Sequence, residues 1–537
     1  MTSKLQPSFL GFDFSTQQIK CICTDDQLRY LASYHVTFDS DCSEHGTEGG
    51  VKVSVDERSG RSRVSSPVMM WLQALDLLFS RIQEKVDFSQ VQGLSGCGQM
   101  HGTVYWNRSS NETLKHLEPE KPLAPQLENC FVLKNSPVWV DSSTTLECGE
   151  MELAVGGEDC MAQLTGSKAY ERFCGPQIKY MHKYYPEVYE DTQRISIVSS
   201  FACSLFLGQI GPIDYGDGSG TNLMHIRNFC WDETLLDACA PGLRGKLGPL
   251  VAPYERVGSI STYWSKRFGF PPNCAVAAFT GDNCASVEGL RAQNGDIAVS
   301  CGTSDNLILL GKDLKPNIYG HLFVSSIESA PYFINLCYKN GSLAREELSR
   351  MFCDADWNKF EATLSSTPVG NDGYVGLFYF KPEHIPQNGL GVYLFDPNNQ
   401  KIENSSPERK VRALVEGQFL MKRVHLERLG GFSNVNRKPR ILITGGASRN
   451  KSICEIIANV YGGDVYYSDS QDAAALGNAY RAKFCLNSEN QYVSMFDSEP
   501  SNQLRLVAKC DQKATEIYNS MVVRFADIEK QLFGEKI

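Results

Sequence analysis

Six short segments carry residue types that could do chemistry. In Gly11-Phe12-Asp13-Phe14-Ser15-Thr16-Gln17 an aspartate interrupts an apolar run and hydroxyls follow at once. A carboxylate buried without a partner is costly. Asp13 set beside a hydrated Mg²⁺ on nucleotide phosphates would have a use, with Thr16 and backbone amides donating to those phosphates. An ordinary strand and turn accounts for the same residues, so this segment alone leaves both readings open. Ser300-Cys301-Gly302-Thr303-Ser304 is a second turn of this kind. Gly302 allows close backbone approach to a ligand, and Thr303 adds a donor. Neither segment fits the Gly-x4-Gly-Lys-Ser/Thr phosphate loop.

Phe279-Thr280-Gly281-Asp282-Asn283 follows an apolar run and precedes a small-residue, helix-like segment. Asp282 then stands where a strand meets a helix, and a helix N-terminus favours its ionised form. That suits a base receiving the proton of an attacking alcohol, as a kinase requires. A plain Gly-Asp-Asn turn is the alternative. Gln99-Met100-His101-Gly102 presents an amide and an imidazole that could meet sugar hydroxyls, or a histidine satisfied within its turn. Tyr170-Glu171-Arg172 offers a cationic donor or a structural arginine. Gly445-Gly446 at a strand end lets the backbone lie flat against adenine and ribose, or only permits tight strand–helix packing.

The elements that must hold these residues alternate short apolar runs with helical-period segments, which predicts mixed α/β layers. Residues 8–14 and 295–301 read as strands ending in small polar residues, and this echo points to an internal duplication. Residues 69–82 show helical spacing, as does the stretch from Arg412. Residues 440–444 read as a strand, with Ser448 as N-cap of a helix bearing Ile453, Ile456, Ile457 and Val460. Residues 39–67 show neither period and read as a loop whose Arg58, Arg61 and Arg63 form a solvated face.

At 537 residues the chain is too long for one core, and 42% apolar with 21% charged residues is a folded composition. A net charge of -10 excludes a nucleic-acid partner. The N-terminus has no leader pattern and no apolar run is long enough to span a membrane, which predicts a cytoplasmic protein. The 19 cysteines are scattered through apolar stretches and read as reduced core thiols. No histidine, cysteine or glutamate spacing suits catalytic zinc, and no Gly-x-Ser-x-Gly elbow is present.

Taken in order, Gly11 to Thr16 with Lys20, Gln99 to Gly102, Gly281-Asp282-Asn283, Ser300 to Ser304 and Thr444-Gly445-Gly446 resemble the FGGY family of carbohydrate kinases over almost the whole chain. The resemblance implies an actin-like ATPase (ribonuclease H-like) α/β fold. Its two domains, residues 1–293 for the sugar and base and 294–537 for the nucleotide, would be duplicated halves flanking a cleft. His101, Arg172, Asp282 and Asn283 would hold the sugar. Gly302 and Thr303 would serve the phosphates, and Trp357, Gly445, Gly446 and Asn450 would line the nucleotide. Gln99 to Gly102, Ser66 to Trp71 and Ser199 to Phe206 look like the animal-type xylulose-phosphorylating branch. This implies transfer of the ATP γ-phosphoryl to the C5 hydroxyl of D-xylulose with Mg²⁺. Another ketose or polyol (sedoheptulose, ribulose, glycerol) and a non-catalytic actin-like nucleotide-binding module remain as alternatives, and monomer and homodimer stay open. Ser15 stands where the family usually has glycine, which leaves the geometry of that first turn open.

Overall fold

The computed structural model describes residues 4–431, 438–468, 472–486 and 504–534. In chain order, β1 (Phe9–Phe14), β2 (Gln18–Thr24) and β3 (Tyr30–Thr37) precede α1 (Val68–Ile82) and β4 (Gly93–Gly98). There follow α2 (Cys174–Tyr184), α3 (Val198–Leu207), β5 (Arg256–Ser259), β6 (Ala275–Ala277), β7 (Thr280–Gly281) and α4 (Asp282–Gly289). The remainder supplies β8 (Ile297–Cys301), β9 (Asp305–Gly311), β10 (Tyr332–Tyr338), α5 (Ser342–Phe352), α6 (Trp357–Ser365) and α7 (Pro407–Arg428). It ends with β11 (Arg440–Gly445), α8 (Lys451–Tyr461), β12 (Asp464–Ser468), α9 (Ala473–Phe484), β13 (Leu504–Ala508) and α10 (Gln512–Phe533). Contacts group the chain into two units that divide between Arg291 and Ala292. Phe323–Glu328 and the segment from Asp472 that carries α9 belong with the first unit.

In the first unit the sheet runs β5-β6-β4-β1-β2-β3, with β7 also paired to β4. β1, β2 and β3 form an antiparallel meander, β1, β4 and β6 are parallel, and β5 closes the edge antiparallel. β1 is buried at every position, because a parallel-paired central strand covered on both faces needs a continuous apolar run. Its Phe12 meets Phe206 of α3 at 4.7 Å between ring centroids.

The second sheet repeats this path as β10-β9-β8-β11-β12-β13 and continues beyond β10 with the strand His321–Val324. Again there are three antiparallel strands, two parallel steps and an antiparallel edge. The edge strand precedes its neighbour in the first unit and follows it in the second. The echo between residues 8–14 and 295–301 therefore corresponds to the two central strands.

The helix α9 lies on β1 and β4 and against α4. It approaches backbone to backbone: a Cβ on Gly11 would sit 1.9 Å from the Ala475 carbonyl oxygen, and one on Gly477 2.1 Å from that of Ala285. The sequence places this helix in the second half of the chain, yet its contacts are with the first unit.

Two expectations need correcting. Residues 39–67 are not a loop, since Lys52–Val55 and Ser62–Pro67 form a hairpin that also pairs with Asn135–Pro137. Arg61 and Arg63 are held against buried carboxylates rather than solvated, whereas Arg58 stays exposed in a surface ion pair. Arg61 reaches Glu147 at 2.7 Å, Arg63 reaches Asp141 at 3.0 Å, and Arg58 reaches Glu187 at 2.6 Å. The N-cap of α8 is Asn450, whose side chain accepts from the Ile453 amide at 3.0 Å. Ser448 instead lies in the preceding turn and donates to the Gly445 carbonyl at 2.6 Å.

Candidate active site

Strand register brings two aspartates to one edge of the first sheet. Asp13 is paired with Cys97 and Phe14 with Gly98, while Thr280 and Gly281 are paired with the same Cys97 and Gly98. The next residue, Asp282, opens α4. The two carboxyls are close enough for the charge of Asp13 to raise the Asp282 pKa. With burial as the larger cause, Asp282 is pushed up to about 7. Helix placement favours the ionised form, and the Asn283 amide donates to Oδ1 at 2.8 Å, but removal from water outweighs both. Asp13 is itself raised, chiefly by burial, and is held by the Ser15 hydroxyl at 2.5 Å and the Cys97 thiol at 3.4 Å. The Ser15 hydroxyl is thus engaged by Asp13.

Lys20, opposite Asp13 in register, is ion-paired with Asp472 just ahead of α9. Thr16 accepts a hydrogen bond from the Trp139 indole at 2.9 Å, which leaves its own proton free to point elsewhere.

His101 follows β4 with φ of 74°, stacks on Phe173 at 4.2 Å, and has Nδ1 2.8 Å from the Gly220 carbonyl. That acceptor assigns the ring proton to Nδ1 and leaves Nε2 able to accept from a hydroxyl. Burial, then the Arg172 guanidinium, hold His101 at about 3, so it is neutral across the physiological range. Asn283 donates to the Met100 sulfur at 3.5 Å. Asp13, Thr16, His101, Arg172, Asp282 and Asn283 are thereby all set around the ends of β1, β4 and β7 in the first unit. Gln99 is fully buried with both ends of its amide lacking a hydrogen-bond partner among the described residues. Such an orphan is costly. The Gln99 amide shares its segment with His101 and, like it, is of a type that can meet a sugar hydroxyl. Trp139 and Asp472 had no motif to mark them.

In the second unit Cys301 is paired with Gly445, so the turn holding Gly302 and Thr303 lies beside Gly445 and Gly446. Gly445 has φ of 87°, and a Cβ there would sit 2.3 Å from the Cys301 carbonyl oxygen. Gly446 has nothing within 4 Å of its would-be Cβ. The Gly302 turn is anchored from behind by Asp305, which is buried with Arg345 at 2.8 Å and Lys422 at 2.9 Å. Despite burial, those two cations hold Asp305 at about 2. Asn450 spends its side chain capping α8. Trp357 is 44% exposed at the start of α6, one turn before Glu361, which accepts from Ser452 of α8 at 3.4 Å.

The two sheets thus carry an aspartate pair at the strand ends of the first unit and two glycine turns at those of the second. Comparison with known proteins identifies the family. Residues 127–289 match the N-terminal domain of the FGGY family of carbohydrate kinases, and residues 297–485 match its C-terminal domain. The chain belongs to this family. It is 44% identical to the xylulose kinase of Rattus norvegicus, over 98% of this chain and 97% of that one. It is 42% identical to xylulose kinase 2 of Arabidopsis thaliana, over 88% and 86%. Among solved structures, the xylulose kinase of Rhodospirillum rubrum superposes with a TM-score of 0.78 at 15% identity, covering 97% of this chain and 98% of that one. The Plasmodium falciparum glycerol kinase with ADP gives 0.74 at 16%, covering 97% and 99%. At such identities these structures bear on the fold alone. Among the described residues, no helix is long and apolar enough to cross a membrane.

Proposed function

We propose that this chain transfers the γ-phosphoryl group of ATP to the C5 hydroxyl of D-xylulose, giving D-xylulose 5-phosphate and ADP. The observation that carries the reading is Asp282. It is a carboxyl on a helix N-terminus whose pKa near 7 suits it to take a proton at neutral pH. As the sugar oxygen attacks the γ-phosphorus, its proton passes to Asp282 and the bond to the β-phosphate oxygen breaks. His101 accepts from a sugar hydroxyl through Nε2, and Arg172 and Asn283 donate. Thr16 and Thr303 donate to phosphate oxygens. Gly445 and Gly446 admit the adenosine, with Trp357 and Asn450 at its border. The whole-chain likeness to xylulose kinases supports the choice of sugar.

Asp13 offers hard carboxylate oxygens suited to a divalent cation, taken here as Mg²⁺ held through water. Among the described residues, no group of three or more histidine, cysteine, aspartate or glutamate side chains could hold a metal by itself. When bound, the cation neutralises phosphate charge. We place the protein in the cytoplasm, where thiols such as Cys21 and Cys23, free in this structure, stay reduced.

ADP release measured over D-xylulose, sedoheptulose, ribulose and glycerol tests the substrate, and D-xylulose is expected to give the highest kcat/KM. A higher value with another sugar overturns the choice, and sugar-independent turnover overturns the kinase reading. Asp282→Asn should bind the sugar but lose about 10² to 10⁴ in kcat. Near-normal turnover would remove Asp282 as base.

A further inference from the structure

The base does not hold itself in place, and the groups that do include a cation distant in sequence. Arg481 on α9 is completely buried, where a charge must be compensated by partners of opposite sign. Its Nη1 reaches Glu288 Oε1 at 2.9 Å. Its Nη2 reaches the Ala278 carbonyl at 3.1 Å and Asp214 Oδ2 at 3.2 Å, and also contacts the Pro253 carbonyl. Ala278 precedes β7, and Glu288 lies near the far end of α4, so one guanidinium grips the chain on both sides of Asp282. Glu288 is further held by the Ser326 hydroxyl. Asp214 in turn caps the helical turn Tyr215–Gly218 through the Asp217 amide at 2.8 Å, close before Gly220, the partner of His101.

We propose that Arg481 is a positioning residue for the phosphorylation reaction, fixing Asp282 through Ala278 and Glu288. This rests on Asp282 being the base. The planar fork is what the site uses, because donors on different nitrogens meet the Ala278 carbonyl and the Glu288 carboxylate together. A lysine carries its donors on a single nitrogen, which cannot occupy the Nη1 and Nη2 positions together and so weakens the hold on one of the two segments. α4 is then free to tilt along its small-residue seam with α9, where Gly289 would place a Cβ 1.9 Å from the Ala473 carbonyl oxygen.

The test uses the full chain with Arg481→Lys, Glu288→Gln and Asp282→Asn, alone and combined. For each, the thermal midpoint is determined first, and kcat and sugar affinity by calorimetry are then measured well below it. Arg481→Lys and Glu288→Gln should each lower kcat by about tenfold or more, with sugar affinity changed less than about threefold. In the Asp282→Asn background, Arg481→Lys should cause no further loss, because its effect runs through that carboxylate. A kcat within about twofold of the parent in both single variants overturns the proposal. So does an equal loss of kcat and sugar affinity, or a full Arg481→Lys effect in the Asp282→Asn background. If Arg481→Lys fails to fold, Glu288→Gln decides by the same criteria. Retained turnover in Asp282→Asn alone removes the base reading, whereas loss there with normal Arg481→Lys rejects only the positioning role.

Discussion

Asp282 is pulled in two directions, and the outcome sets a pH dependence. The helix N-terminus and neighbouring amides favour the anion, while burial and the Asp13 charge oppose it and bring the group to about 7. Because kcat/KM reports groups of the free enzyme, it should fall as pH drops through 7, approaching about tenfold per unit as the base becomes protonated. Asp13→Asn removes the second cause of the shift, so the acid limb should move to lower pH even though the overall rate drops. An unmoved limb would take the Asp13 charge out of the Asp282 environment. The stability sign follows from the same shift. The folded carboxyl holds its proton up to about 7 while the unfolded one releases it near 3.8. Stability from this group is therefore full below the unfolded pKa and lost as pH rises through the folded one. Asp282→Asn should accordingly melt higher than the parent at pH 8. His101 adds no limb in this range, since burial keeps it neutral down to about 3.

At the scale of elements, glycines of opposite kinds separate packing from ligand approach. Gly477 on α9 faces the Ala285 carbonyl of α4, so Gly477→Ala forces two backbones apart and should cost roughly 1–3 kcal/mol in urea unfolding. Gly446 opens onto nothing within 4 Å, so Gly446→Ala should leave the unfolding midpoint unchanged while raising the KM for ATP. An unchanged KM would remove Gly446 from the nucleotide. The strands β1, β8 and β11 and the helix α4 were legible in the sequence, because continuous apolar runs ended by glycine and aspartate identify buried parallel strands and their turns. The hairpin over 52–67 was not, since Val53 and Val55 are each 71% exposed and no alternation marks a buried face. Its arginines looked solvated because their carboxylate partners, Asp141, Glu147 and Glu187, are remote in sequence. Nothing in α9 announces Arg481, whose charge among apolar residues acquires meaning only when Glu288 and Asp214 are brought to it.

At the scale of the molecule, the same helix decides what can fold alone. Gly11 and Asp13 of β1 sit under or beside a segment that follows most of the second unit in the chain, and Asn478 of α9 donates to the Phe12 carbonyl at 2.9 Å. A fragment of residues 1–291 therefore lacks the cover for the middle of its own sheet, and leaves Glu288 and Asp214 buried without their cation. An uncovered apolar strand face and two buried carboxyls deprived of their shared cation together exceed what marginal stability tolerates. Expressed alone, residues 1–291 should show no cooperative thermal transition and no near-ultraviolet circular dichroism. Fusing residues 472–486 to its C-terminus through a flexible Gly/Ser linker should restore both, provided the linker spans the distance. The Arg481→Met form of that fusion should restore less, because it supplies the cover without the charge. A cooperative transition in residues 1–291 by itself would show that α9 is an accessory to the first unit rather than part of its core.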